Sequence, residues 1–330
     1  MDDYIIKVEN LVKKFGDMVA VDDISFNVSP GEIFGFLGPN GAGKTTTINI
    51  LCTLSKPTSG KASINGFDVV RRQNQVRQSI GLVFQDPSLD ERLSGWQNLR
   101  FHTRVYNVLS SVRDQRIEQV LQMTELWDKR YDEVRTYSGG MKRRLELARG
   151  LLHYPKILFL DEPTLGLDPQ TRNHIWKYIL EMREREGTTI FLTTHYMEEA
   201  EKADRIAIID YGKLIAIDTP ARLKNMVGKD FISIKTDDNA KAVEEIRRRY
   251  QTEARNDGHR LTFEVPCGEE FLPVFIKEFS TKIVSASLRQ PSLEDAFLKL
   301  TGREMRPEEV NDAFKATVRQ HGRRMRSRNR

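Results

Sequence analysis

Gly38, Pro39, Asn40, Gly41, Ala42, Gly43, Lys44 and Thr45 follow an apolar run at residues 33–37 and lead into a helical segment over residues 43–54. A short apolar run that ends in a glycine-rich turn reads as a buried strand. Strand, glycine-rich turn, Lys-Thr and helix, in that order, make a phosphate-binding loop, and this commits the N-terminal part of the chain to an α/β core. Phosphate oxygens need backbone N–H groups pointing inward with no side chain in the way. Gly38, Gly41 and Gly43 permit this, and the helix N-terminus adds favourable partial charge. Lys44 would place a point charge on the β- and γ-phosphates, the Thr45 hydroxyl would ligate Mg²⁺, and Thr46 would offer a further hydroxyl to the α- or β-phosphate.

Residues 32–37, 80–84, 157–160 and 188–193 all read as buried strands, which predicts a parallel sheet covered by helices. Strand signals vanish between residues 86 and 150, so a helical subdomain interrupted at residues 137–140 is expected between two strands of that sheet. A hairpin over 205–209 and 213–217, turning at Tyr211 and Gly212, closes a first unit of residues 1–227. Residues 228–302 form a smaller unit: strand 231–236, helix 239–250, strands near 252–255 and 260–265, helix 269–280, strand 283–289 and helix 292–301. That order is βαββαβ with one extra helix, so a ferredoxin-like α+β packing is expected.

The composition, 39% hydrophobic and 30% charged, is that of a folded water-soluble chain. No apolar run approaches the roughly 20 residues that span a bilayer. The N-terminus carries Asp2 and Asp3 and no basic segment, so no secretory signal is expected and the chain is placed in the cytosol. Cys52 and Cys267 lie far apart without neighbouring ligands and read as isolated thiols. The net charge of +5 belongs to residues 303–330, which hold nine Lys and Arg against four acids. This tail reads as a disordered basic terminus, and its five arginines over 323–330 would suit anionic lipid headgroups or nucleic acid.

Asp161 and Glu162 end the strand that begins at Ile157. A carboxylate at the C-terminal mouth of a parallel sheet can hold Mg²⁺, and the next one can polarise an attacking water. Asp161 is therefore assigned to the metal and Glu162 to the general base.

Ser138, Gly139 and Gly140 precede a helix and offer a second anion site of one hydroxyl and two unobstructed N–H groups. With Tyr137 before them, Gln85 ending a strand, Leu165, Gly166, Leu167 and Asp168 after the acidic pair, and His195 after Thr193 and Thr194, the chain resembles the ABC ATPase family from residue 4 to about 220. The wording around Ser138 and Asp161, and the segment 291–298, resembles the daunorubicin-resistance type of exporter subunit. Tyr137 and Met141 depart from the commonest signature of the ABC ATPase family, Leu-Ser-Gly-Gly-Gln.

The resemblance implies an ABC cassette fold. It implies a γ-phosphate of a second subunit bound in trans by Ser138, Gly139 and Gly140, hence a head-to-tail homodimer holding ATP and Mg²⁺. It also implies adenine stacking on Phe15, a D-loop at Asp168, a γ-phosphate contact from His195, and Gln85 as a sensor of Mg²⁺ and water. A separate membrane permease completes the transporter, with the chain peripheral on the cytoplasmic membrane face. Drug, lipid or polysaccharide export would be powered in this way. The alternative is a soluble ABC ATPase acting on nucleic acid or ribosomes. The chain lacks the second cassette, zinc cysteines or coiled coils typical of those branches, so no specific nucleic-acid partner is expected.

Overall fold

The computed structural model describes residues 4–84 and 88–303. Alternation of buried and exposed side chains sets its first two strands apart from the rest. In β1 (Ile6–Phe15) and β2 (Met18–Val28), Ile6, Val8, Leu11, Ile24, Phe26 and Val28 turn inward while many of their neighbours face water. This is the signature of an antiparallel sheet wet on one side. β3 (Ile33–Leu37), by contrast, is buried at all five positions. α1 (Lys44–Leu51) follows, then β4 (Ser59–Ile64), β5 (Phe67–Asp68), α2 (Gln73–Ser79) and β6 (Ile80–Val83). α1 is shorter than the expected 43–54. Thr53 takes a left-handed φ of 63°, and the N–H groups of Leu54 and Ser55 both turn back to the Asn49 carbonyl.

The helical subdomain consists of α3 (Gly95–Val105), α4 (Arg113–Met123) and α5 (Gly139–Leu151). The chain then re-enters the sheet through β7 (Ile157–Asp161), α6 (Pro169–Glu186), β8 (Thr189–Thr194), α7 (Met197–Ala200), β9 (Arg205–Asp210) and β10 (Lys213–Asp218), and leaves through α8 (Pro220–Asn225). The central sheet runs β10-β9-β3-β8-β7-β6, parallel except for β10, as the apolar runs predict. A second sheet, β2-β1-β4-β5, goes beyond the sequence expectation and is antiparallel throughout. The two sheets are joined by phenylalanines. Phe26 of β2 stacks on Phe34 at 5.5 Å and meets Phe36 and Phe191 at 5.4 and 6.0 Å, and within the central sheet Phe36 and Phe159 meet Phe191 at 5.5 and 5.3 Å. On the other face of the central sheet, Ile33, Leu37, Leu158 and Leu160 pack with residues of α5 and α6.

The smaller unit contains β11 (Asp230–Thr236), α9 (Asn239–Tyr250), β12 (Arg255–Asn256), β13 (Leu261–Val265), α10 (Gly268–Glu278) and β14 (Ile283–Arg289). Its sheet order, β12-β13-β11-β14 with every pair antiparallel, is the ferredoxin-like arrangement. The last element, α11 (Leu293–Thr301), returns to the first unit: Leu293 and Phe297 share one apolar cluster with Leu223 of α8. The Lys299 ammonium donates to the Met226 and Val227 carbonyls at 3.0 Å each, fastening α11 to the end of α8.

Glu245 of α9 closes the smaller unit. Its buried carboxylate accepts from Ser280 N at 2.9 Å, Thr281 N at 3.2 Å and Thr281 Oγ1 at 3.0 Å, and from Arg249 Nη1 at 3.1 Å. Burial works to raise its carboxyl, but these bonds outweigh it and hold the pKa at about 2, below the ordinary 4.5. The contribution to stability is therefore complete above pH 4.5 and disappears as pH falls toward 2. Glu245→Gln should cost about 1–3 kcal/mol at neutral pH. Unfolding midpoints of the two proteins should converge on acidification, and a gap independent of pH would contradict this account.

Candidate active site

Parallel strands deliver their C-terminal ends to one edge, and the chemistry gathers there. β3 leads into the loop 38–43, β7 ends at Asp161, and β8 ends one residue before His195. The glycines of the loop answer to the protein behind them as well as to a phosphate in front. A Cβ on Gly38 would lie 2.3 Å from the Ile209 carbonyl of β9, and one on Gly43 would lie 2.5 Å from the Ala20 carbonyl of β2. Gly43 also has φ 105°, a value that glycine alone adopts without strain. Gly41 has φ 82°, with open space around its missing side chain.

Lys44 is buried, and its ammonium turns back over the loop to donate to Gly38 O at 2.7 Å and Pro39 O at 3.1 Å. It also lies 3.5 Å from Glu162 Oε1. Burial lowers its pKa, against the raising influence of Glu162 and Asp161. Thr45 Oγ1 donates to Asp161 Oδ1 at 3.3 Å, bringing a hydroxyl and a carboxylate to one point. Two hard oxygen donors beside a phosphate loop fit a small divalent cation that keeps its remaining ligands as water and phosphate. Thr46 is half-buried on the same turn.

Burial raises the Asp161 carboxyl, with hydrogen bonds from Thr193 and Thr45 pulling the other way. Glu162 goes in the opposite direction. Desolvation would raise it, but His195 and Lys44 prevail and its pKa lies below the ordinary carboxylate value. His195 Nδ1 is 3.3 Å from Glu162 Oε1, close but not aligned for a hydrogen bond. Thr193 is a site residue that the motifs do not reveal. Its hydroxyl donates to Asp161 Oδ1 at 2.5 Å and accepts from Glu162 N at 3.1 Å, holding both acids from the neighbouring strand. The only sequence hint is a hydroxyl two residues before His195 at a strand end.

Ser138, Gly139 and Gly140 stand apart from this cluster at the start of α5. Ser138 is the N-cap, with Oγ accepting from Met141 N at 3.2 Å, and Ser138 and Gly139 are exposed. Gly140 abuts α6, where a Cβ would meet the Thr171 side chain at 2.7 Å. Asp168 caps α6: its carboxylate accepts from Thr171 N at 2.9 Å and Thr171 Oγ1 at 2.6 Å, and these bonds lower its pKa. Tyr137 is buried, and its hydroxyl donates to Lys129 O at 2.6 Å inside the helical subdomain. Its place in the signature is therefore one of packing. Phe15 ends β1 with half its surface exposed and the Lys13 ammonium 4.7 Å from its ring centre. Gln85 lies outside the described residues.

The model of the ABC transporter family matches residues 21–165, from β2 through the loop to just past Glu162. Over 322 residues the chain is 38% identical to the daunorubicin resistance ATP-binding protein DrrA2 of Streptomyces coeruleorubidus, covering 95% of this chain and 100% of that one. This chain is an ABC transporter ATP-binding subunit. It binds ATP and hydrolyses it to drive transport. The cassette is also 39% identical to the Nod factor export ATP-binding protein I of Cupriavidus metallidurans, over 92% of this chain and 99% of that one. Among solved structures it is similar to the dimeric post-hydrolysis cassette MJ0796 bound to ADP and Pi, with TM-score 0.60 and 28% identity over 65% of this chain and 98% of that one.

The contacts behind the loop separate two glycines that look alike in sequence. Gly38→Ala should displace the loop from β9, costing about 1–3 kcal/mol and abolishing ATP binding. Gly41→Ala meets no protein atom, so it should cost the backbone strain of about 1–2 kcal/mol and leave the loop seated against β9. Thermal unfolding with and without ATP checks the contrast, and equal behaviour of the two variants would refute it.

Proposed function

We propose that the cassette powers export through a separate membrane-spanning subunit, hydrolysing ATP at two composite sites formed head to tail with a second copy. The observation that carries this reading is the division of the machinery. Lys44, Thr45, Asp161, Glu162 and His195 converge on one point, whereas Ser138, Gly139 and Gly140 offer their helix N-terminus to solvent. N–H groups of a first helical turn have no intrahelical partners, so they suit a phosphate brought by another molecule.

In this reading the loop 38–43 wraps the phosphates, with Pro39, Asn40 and Ala42 completing it, and adenine stacks on the face of Phe15 away from Lys13. Thr45 and Asp161 hold Mg²⁺, with Gln85 as a further ligand, and the bound ion supplies charge neutralisation to the β- and γ-phosphates. A γ-phosphate draws the Lys44 ammonium off the carbonyls of Gly38 and Pro39 and engages His195. Glu162 then loses the two neighbours that depress its pKa and becomes a better acceptor for the proton of the attacking water. Ser138 of the second copy adds its hydrogen bond to the transferring group. The chain divides at residues 227 and 228, with α11 bridging the two units.

The membrane partner is supported by an apolar stripe on the helical subdomain. Phe101 and Val105, four residues apart on α3, are 59% and 56% exposed, and Leu109 beyond the end of the helix is 71% exposed. No helix among the described residues is long and apolar enough to cross a membrane. In this reading a separate subunit spans the bilayer and the cassette works on its cytoplasmic face. The arginines of 323–330 lie outside the described residues and are assigned to anionic lipid at that face. Two relatives named for daunorubicin resistance and Nod factor export support export as the direction and drugs as one cargo class.

Glu162→Gln should bind ATP, hydrolyse it at least about 100-fold more slowly and accumulate as a dimer. Size measurements with and without ATP decide this, and a variant that stays monomeric with ATP bound would refute the composite site. Phe101→Glu with Val105→Glu should reduce co-purification with the membrane subunit about tenfold or more, since each charge would be desolvated at the contact. An intact complex would refute the docking face.

A further inference from the structure

Arg143 lies in the second turn of α5 and is 6% exposed. It makes no ion pair with any described residue, and its guanidinium is satisfied by main-chain carbonyls alone. Nε donates to Pro163 O at 2.6 Å, Nη2 donates to Asp161 O and Glu162 O at 3.2 Å each, and Nη1 donates to Phe84 O. Burying a cation against neutral dipoles is a poor route to stability, because an apolar side chain of similar size avoids the desolvation cost. What the arrangement secures is geometry. Three of the four acceptors are consecutive residues around Glu162, and the fourth is the residue before Gln85.

Glu162 needs such a hold. Its φ is 47°, a left-handed conformation that is uncommon and unfavourable for a non-glycine residue. Thr193 restrains it from one side, through bonds from Glu162 N to Thr193 O and Oγ1. Arg143 restrains it from the other, at the carbonyl. The turn held between them aims the carboxylate at Lys44 and His195.

We infer that Arg143 is a positioning residue for ATP hydrolysis: its guanidinium clamps the left-handed turn that presents Glu162 to the attacking water. The inference rests on Glu162 being the residue that activates that water. α5 begins at Ser138, so the element that meets a second copy's phosphate is the one that sets the aim of Glu162, through a single side chain five residues along.

The test uses the full chain with Mg-ATP and four variants: Arg143→Met, Arg143→Lys, Glu162→Gln and the Met/Gln double variant. Misplacing a reacting group by about 1 Å costs about 100-fold. Arg143→Met should therefore lower kcat about 30- to 100-fold with KM changed less than about threefold, and Arg143→Lys should recover about tenfold of the loss. The double variant should be no more than about twofold slower than Glu162→Gln, because both changes remove the same function. A kcat for Arg143→Met within about threefold of the parent, or losses that multiply in the double variant, would overturn the clamp while leaving Glu162 in its role. Undiminished hydrolysis by Glu162→Gln would instead remove the base assignment, and the clamp with it. Should Arg143→Met fail to bind ATP through misfolding, Arg143→Lys decides: a kcat about three- to tenfold below the parent, with no further loss when it is added to Glu162→Gln, is expected, and losses that multiply in that double variant would overturn the clamp.

Discussion

The Lys44 ammonium is held where only 4% of its side chain meets solvent, and the cassette is arranged around that buried charge. A cation at such depth has to be met by oppositely charged or polar atoms. The carbonyls of Gly38 and Pro39 supply two contacts, which requires the loop to curl over α1. That curl requires glycine where β9 and β2 press against it from behind. Glu162, whose own backbone is left-handed, supplies the third contact. Loop, sheet edge and strained turn are thus parts of one electrostatic solution. A γ-phosphate would replace its elements with a stronger one.

The rest of the fold keeps those parts in register. The phenylalanine layer between the two sheets fixes β3, β7 and β8 relative to one another, so that the ends carrying Gly38, Asp161 and Thr194 come out level. Thr193 then spans from β8 to both acids, and Arg143 reaches the same turn from α5. The helical subdomain is connected to the catalytic edge by hydrogen bonds to backbone atoms as well as by apolar packing. This makes it suited to passing on a displacement.

Much of the site was legible in the sequence because it is local. Gly38 to Thr45, Asp161 with Glu162, and His195 each sit at the end of an apolar run, and a run plus its terminal residues can be recognised without knowing what lies beside it. The helices and strands of residues 230–301 were legible for a similar reason, since their apolar periods alternate cleanly and their order matches one compact packing. The antiparallel sheet was not. β1, β2 and β4 are amphipathic strands separated by ordinary turns, and their pairing depends on contacts between residues distant along the chain. α11 shows the same limit: its period marks an apolar face, but nothing local says that the face covers α8 and β10 and not the neighbouring sheet.

By itself the sequence determined which chemical groups are present and which lie next to one another along the chain: the loop, the acidic pair, Ser138 before its two glycines and His195 after its two threonines. These are short-range facts, set by residue type and spacing. Tertiary structure alone decided that Glu162 turns left-handed, that Thr193 and Arg143 grip it from opposite sides, and that Gly38 and Gly43 are demanded by Ile209 and Ala20. Each of these depends on atoms brought together from distant parts of the chain, so they exist only once the sheets and helices have packed.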